Sequence, residues 1–206
     1  MADKGRKYIS ILLHTPQAAI HSSIMLYSGM RTIIVGCGPS ILQVGSLPHA
    51  GEVIYCNGAI QLTGSAGGNI KWFISDHKVT QLAWFERYYA RFRNVLHGSA
   101  QVAERCRVAV QFEENPWFTW GDYRLLDGVL RGGGSVVGCA LQHVHAEGQL
   151  AALAGVDMQG RRSLSHDADV YAEDHWRFKI EVLNNLIARY MPGTTSLTPT
   201  VLKVSK

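Results

Sequence analysis

Between residues 29 and 74 the apolar positions come in short runs cut by glycine and proline, and this punctuation sets the first structural expectation. The runs 32–35, 41–44, 53–56, 59–62 and 70–74 are rich in β-branched and aromatic residues, the composition that suits a pleated, half-buried surface. Gly36, Gly38-Pro39, Gly45, Pro48, Gly51, Gly58, Gly64 and Gly67-Gly68 separate them, and such breaks mark turns. Regular spacing of this kind predicts an antiparallel meander.

The period changes after residue 75. No glycine or proline occurs from Ile70 through His97, and Leu82, Phe85, Tyr89, Phe92 and Leu96 recur at i, i+3, i+7, i+10 and i+14, the stripe of one helical face. Gly98 stands where a left-handed helix end is expected, and Arg87, Arg91 and Arg93 weight the C-terminal half as the helix dipole favours. The pattern predicts a helix over 79–97 with Leu82, Phe85, Phe92 and Leu96 buried and Arg87 and Arg91 accessible. A second strand region is expected at 108–112, 117–126 and 136–147, the last after Gly132-Gly133-Gly134. A second helix over 174–190 ends at Met191-Pro192-Gly193, and 198–204 returns as an edge strand. The expected fold class is α+β: a mostly antiparallel sheet, barrel- or sandwich-like, with two packed helices in a single domain over 1–206.

Composition turns this picture toward assembly. A chain of 206 residues with 47% apolar and 9% aromatic residues is long enough for one core and too apolar to stay disordered. Charged residues make up only 17%, against about 25% in an ordinary soluble domain, which leaves little charge to spread over a monomer's surface. Aromatics are enriched and Lys and Glu depleted at interface cores, and Trp72, Trp84, Trp117, Trp120 and Trp176 fit that bias. The chain therefore reads as a non-catalytic, oligomer-forming subunit of a larger complex, with copies of itself or other protein subunits as partners. Trp84, Tyr88 and Arg91 are its candidate interface residues. A net charge of +4 and a pI near 8.9 fall short of the dense basic tracts of nucleic-acid binders, so nucleic acid is not an expected partner. Four cysteines without a Cys-x-x-Cys pair point to reduced thiols and a cytoplasmic location. The charged opening followed by a short apolar stretch does not read as a secretory leader, and no run in the sequence reaches the length expected of a membrane span.

Candidate chemistry gathers at Cys139-Ala-Leu-Gln-His143-Val-His145-Ala-Glu147. On a strand, alternate side chains share a face, which would place His143, His145 and Glu147 together as ligands of Zn²⁺ or Fe²⁺ with a position left for water. The alternative function is accordingly a metal-dependent hydrolase or lyase using His143 and His145. The assembly reading needs no cofactor, and the metal-dependent alternative would need Zn. The His-x-His spacing is similar to the start of a cupin metal site over these few residues only. Gly36-Cys37-Gly38-Pro39-Ser40 resembles the opening of the nucleophile helix in some papain-like peptidases, but Ile41-Leu-Gln-Val continues as an expected strand, so the motif reads as a glycine-rich turn with a small thiol. Arg131-Gly132-Gly133-Gly134-Ser135 lacks the Lys-Ser/Thr of a phosphate-binding loop and reads as a hairpin connection.

A looser likeness covers more chain. Thr32-Ile-Ile-Val, Ser40-Ile-Leu-Gln-Val, Leu47-Pro-His-Ala-Gly, Asn57 and Gly68-Asn-Ile-Lys71 are similar, in order, to the cytosolic haem-carrier proteins of bacterial haem uptake. This resemblance implies a small-ligand, haem-like binding protein as a further alternative. Asn69 stands where the resemblance wants a histidine, and a neutral amide does not replace imidazole as an axial ligand.

Overall fold

The computed structural model describes residues 32–64, 67–114, 129–132, 135–159 and 173–205. Apolar runs at β1 (Thr32–Val35), β2 (Glu52–Cys56) and β3 (Asn69–Ile74) form strands, joined by β4 (Leu96–Ser99), β5 (Val110–Glu114), β6 (Val129–Gly132), β7 (Ala151–Ala154) and β8 (Thr195–Ser196). They lie in the order β6-β5-β4-β3-β2-β1-β7-β8, and every pairing is parallel. The helices are α1 (Phe85–Phe92), α2 (Ala100–Ala103), α3 (Val136–Ala146) and α4 (Glu173–Tyr190).

The expected antiparallel, barrel- or sandwich-like sheet is therefore corrected to a parallel α/β sheet. Two of the expected strands, 41–44 and 59–62, lie in short 3-10 segments, Pro39–Gln43 and Asn57–Leu62, so each apparent hairpin is the crossover between parallel neighbours. Conversely, the run expected as a strand over 136–147 is α3, and the alanine-rich Ala151–Ala154 forms a strand between β1 and β8. A short apolar run is compatible with strand, turn or buried helix, and packing rather than propensity decides. The segment 117–126 lies outside the described residues. The expected edge strand over 198–204 is absent; Thr195–Ser196 pairs with β7 instead.

The expected helix over 79–97 is shorter than its apolar stripe. α1 covers only Phe85–Phe92, flanked by 3-10 turns at His77–Gln81 and Arg93–Val95, and Leu96 opens β4. Phe85, Phe92 and Leu96 are buried, Leu82 is half-buried, and Arg87 and Arg91 are exposed. The C-terminal helix spans Glu173–Tyr190, within one residue of expectation. Among the described residues no helix is long and apolar enough to cross a membrane.

Both faces of the sheet are covered. Ile34, Ile54, Phe73, Phe112 and Leu153 pack beneath α3 and α4, while Ile33, Val35, Tyr55, Trp72 and Ile74 pack beneath α1 and the 3-10 segments. Strands buried on both sides read as continuous apolar runs, which is why parallel sheets lack the alternation of a half-exposed one. All four residues of β1 and of β7 are buried. This double burial accounts for the low charge content without any appeal to a protein partner.

Chain direction across the sheet reverses once. From β1 the chain moves outward through β2, β3, β4, β5 and β6; α3 then carries it back across the sheet to β7 on the other side of β1, and β8 follows outward. The connection after β1 packs on the Trp72 face through Ile41 and Leu47, whereas the one after β7 leads to α4 on the Phe73 face. The two connections thus end on opposite faces of the sheet, although their first residues after β1 and β7 run side by side.

Candidate functional site

In open parallel sheets the carboxyl ends of two strands whose connections diverge enclose a crevice, and ligands bind there. Here that place lies between β1 and β7, and its floor is built from glycine. Gly36 N donates to Ala154 O at 2.8 Å and Gly38 N to Gly155 O at 2.7 Å, so the two loops stay zipped beyond the strand ends. A Cβ at Gly36 would come within 2.4 Å of Gly155 O, and one at Gly38 within 2.5 Å of Asp157 Cγ. Glycine permits both approaches, to backbone at Gly36 and to a carboxylate at Gly38.

Asp157 fastens the loop from the other side. Its buried carboxylate accepts from Ser40 N at 2.8 Å and, through its second oxygen, from Ser40 Oγ. The motif Gly36-Cys37-Gly38-Pro39-Ser40 is therefore a fixed turn between β1 and a 3-10 segment, as the reading of a glycine-rich turn expects, although no strand follows it. Cys37 is half-buried, and its Sγ donates to Cys56 O at 3.2 Å.

Backbone strain marks the same edge. Among the described residues the non-glycine positions with φ in the left-handed region are Asn57 at 50° and Met158 at 57°; they directly follow β2 and Asp157. Asn tolerates that conformation better than most residues, whereas a bulky side chain there is an outlier that the surrounding structure has to hold. Asn57 is 5% exposed and is held at two points: its carbonyl accepts from Trp72 Nε1 at 2.8 Å, and its Oδ1 accepts from Ser75 N at 3.3 Å. With Oδ1 committed as an acceptor, the Nδ2 group remains as a donor. Farther along the same edge Ser99 Oγ donates to Ser75 O at 2.7 Å. Ser135 caps α3 by accepting from Gly138 N at 3.0 Å, so the positive end of α3 opens on the carboxyl side of the sheet.

The sequence reading missed Asn57 and Asp157 as site residues. A signal was present: Val-Ile-Tyr-Cys-Asn57-Gly and Leu-Ala-Gly-Val-Asp157 each place a small polar residue just after an apolar run, the position that loops at the carboxyl ends of parallel strands occupy. It carries meaning only once the strands are known to be parallel.

The histidine pattern falls elsewhere and on a different element. Because 136–146 is a helix, residues two apart diverge: His143 is buried, while His145 and Glu147 are exposed. The expected strand ligand set of His143, His145 and Glu147 is thus corrected in its geometry, and among the described residues no group of three or more His, Cys, Asp or Glu is placed to hold a metal ion. His145 instead meets the Tyr190 ring edge-on at 6.0 Å.

His143 joins Glu52, Lys71 and His97 under α3. Lys71 Nζ lies 2.6 Å from Glu52 Oε2 and 2.5 Å from His143 Nε2. Burial pushes the Glu52 carboxyl up, but hydrogen bonds and charge from His143 and Lys71 outweigh it and hold the group below its ordinary value. His97 stacks on Phe73 at 4.4 Å between ring centroids, and its Nδ1 has no partner among the described residues. Burial, reinforced by the charges of His143 and Lys71 and opposed by Glu52, pushes His97 down to about 3. The ring is therefore held neutral near pH 7. This cluster lies beneath the C-terminal half of α3, away from the crevice.

Trp84 and Tyr88 are half-buried and Arg91 is exposed; Trp84 packs on Trp72 at 6.5 Å and on Tyr88 at 6.0 Å. The haem-carrier likeness finds no counterpart in the geometry, because Ser40–Val44 is not a strand and Asn69 is an exposed residue at the amino end of β3.

No protein-family model and no curated protein matches the chain. Among solved structures it is similar to the monofunctional α-2,3-sialyltransferase Cst-I from Campylobacter jejuni, at 14% identity and a TM-score of 0.49, over 87% of this chain and 82% of that one. It is also similar to the sialyltransferase Cst-II in complex with a trisaccharide acceptor and CMP, at 14% identity and a TM-score of 0.40, over 85% and 86%. A third, Cst-II from Campylobacter jejuni with the substrate analogue CMP-3FNeuAc, gives 13% identity and a TM-score of 0.35 over 86% of each chain. The low charge that suggested a non-catalytic, oligomer-forming subunit is explained by the doubly covered sheet, and that reading is withdrawn.

Proposed function

We propose that the chain is an enzyme that binds a nucleotide in the crevice between β1 and β7 and transfers the group the nucleotide carries, with nucleotide-linked sugars as the donor class to test. The observation that carries the reading is the convergence of strain and close backbone approach on one edge: Gly36, Gly38, Asn57, Asp157 and Met158 all stand at the carboxyl ends of β1, β2 and β7. Conformations of this cost persist where function requires them.

The turn supports a mononucleotide more than a dinucleotide. In the dinucleotide fold the glycine-rich turn after the first strand opens directly into an α-helix whose N-terminus takes the pyrophosphate. Here it opens into a 3-10 segment of five residues, and the long helix that begins on this edge is α3, after β6. Gly36 and Gly38 hold the turn against Gly155 and Asp157, which fixes the edge on which the ligand rests, and Asn57 Nδ2 supplies a hydrogen bond. A carboxylate at 157 acts as a positioning group: both its oxygens are engaged by Ser40, so it shapes the turn rather than meeting the ligand.

Calorimetric titration with CMP, the nucleotide in the solved complexes, tests this, with UMP and AMP as comparisons. Binding in the micromolar to millimolar range is expected. Asp157→Ala strips two hydrogen bonds from Ser40, leaves its buried N–H and hydroxyl without their acceptor at about 1–3 kcal/mol, and is expected to weaken nucleotide binding at least about tenfold. Asp157→Asn, which keeps one acceptor for Ser40 N and offers a donor to Oγ, restores most of it. No binding of any nucleotide by the folded wild-type protein overturns the proposal.

A further inference from the structure

We infer that the outer surface of α1, together with the turn that follows α2, docks on an anionic phospholipid surface. Between residues 77 and 107 stand six lysines and arginines against two glutamates, a surplus equal to the chain's whole net charge of +4. Arg87, Arg91, Arg93, Arg105 and Arg107 are all exposed. Tyr89 binds the two parts together: its hydroxyl accepts from Arg107 N at 3.0 Å and donates to Arg107 O at 3.3 Å. The acidic residues of the region are Glu86, whose charge reaches Cys106 and, with burial, raises that thiol, and Glu104. Neither offsets the arginines.

Ring geometry decides the kind of polyanion. Proteins that hold single-stranded nucleic acid offer free aromatic faces on which bases stack. Here Tyr89 stacks on Phe85 at 5.3 Å, Trp84 lies against Trp72 and Tyr88, and the Arg87 guanidinium sits 5.6 Å over the Tyr88 ring. The ring faces are occupied by the protein itself. What remains is a convex helix with arginines outward and half-buried Trp84 and Tyr88 at its rim, which suits the plane of anionic headgroups, where basic residues are attracted by surface potential and amphipathic rings sit at the boundary. The surface lies on the sheet face opposite α3 and α4, so its test is separate from that of the crevice.

Co-sedimentation of the full chain with phosphatidylcholine vesicles, with and without about 30% phosphatidylserine, reads this out. Binding is expected only with phosphatidylserine and is lost between ~0.1 M and ~0.5 M salt, as screening shortens the reach of the charges. Each arginine near such a surface contributes about fivefold, so the double substitution Arg87→Glu and Arg91→Glu should lower vesicle affinity by at least about 25-fold. Its melting temperature should stay unchanged, since both side chains are exposed, and Arg105→Gln, on the other part of the surface, should lower affinity about fivefold. Equal binding to neutral vesicles, no binding to either, insensitivity to these substitutions, or tighter binding to a single-stranded oligonucleotide than to vesicles overturns the inference.

Discussion

Lowering the pH from 7 to 4 is expected to remove about 3 kcal/mol of folding stability through His97 alone. The sign follows from the direction of the shift. In the unfolded chain the imidazole takes up a proton near 6.5, whereas in the fold its value is pushed down to about 3 by burial and by the neighbouring Lys71 and His143, against a weaker pull from Glu52. Between those values the unfolded state binds the extra proton, so this stabilisation is complete above about 6.5 and falls away as the pH drops toward 3. Glu52 adds in the same direction at the acid end: its depressed carboxyl stabilises the fold above the ordinary carboxylate range and ceases to do so as the group is protonated. Urea unfolding at a series of pH values measures the slope. His97→Phe keeps a ring against Phe73 and removes the titrating nitrogen, whose Nδ1 is unpartnered among the described residues; it should flatten the slope without loss of stability at neutral pH. A wild-type curve flat from pH 6.5 to 4 contradicts the burial of a neutral His97.

The second large effect belongs to the floor of the crevice. Gly36→Ala would place a methyl group 2.4 Å from Gly155 O and 3.0 Å from Gly155 C. Backbone cannot rotate away as a side chain end can, so β1 and β7 must part. Gly155 cannot follow freely, since it is itself left-handed at φ 65° and its Cα faces Ile41. Overpacking of this kind costs about 1–3 kcal/mol, and more where the rigid partner is backbone; a loss of about 3 kcal/mol or more is expected by denaturant unfolding, with loss of nucleotide binding in whatever remains folded. Gly45→Ala is the matched control, because a methyl group there meets nothing within 4 Å and should be neutral or stabilising by about 0.4–1 kcal/mol.

What could be read from the sequence divides along physical lines. The runs of β1, β2 and β3 were legible because Thr32–Val35, Glu52–Cys56 and Asn69–Ile74 combine β-branched residues with sharp glycine borders, and α4 because its end is written in Met191-Pro192-Gly193. Strand direction was not legible. Ile41 and Ile60 are as β-branched as Ile33, yet they sit in single turns that cap the Trp72 face, and counting them as strands turned crossovers into hairpins. The opposite error came from Val136-Val137 and His143-Val144, whose β-branched residues concealed a helix that needs small residues, Gly138, Cys139 and Ala140, to lie close on the sheet. Direction then decided the site: with antiparallel strands the alternation of His143 and His145 was the natural place to look for chemistry, whereas a parallel sheet moves attention to its carboxyl edge. There the turn at Gly36–Ser40 is visible in the sequence as a motif, but its partners Asn57 and Asp157, distant in sequence, join it only through the β1–β2 and β1–β7 pairings.

The most direct test of a nucleotide site at the β1–β7 crevice is a titration of isotope-labelled protein with CMP followed by backbone amide resonances. The account predicts saturable shifts at Gly36, Cys37, Gly38, Ser40, Asn57, Gly155 and Asp157, with Lys71, His97 and His143 unmoved. Shifts absent at saturating nucleotide, or confined to the Lys71–His143 cluster or to α1, contradict it.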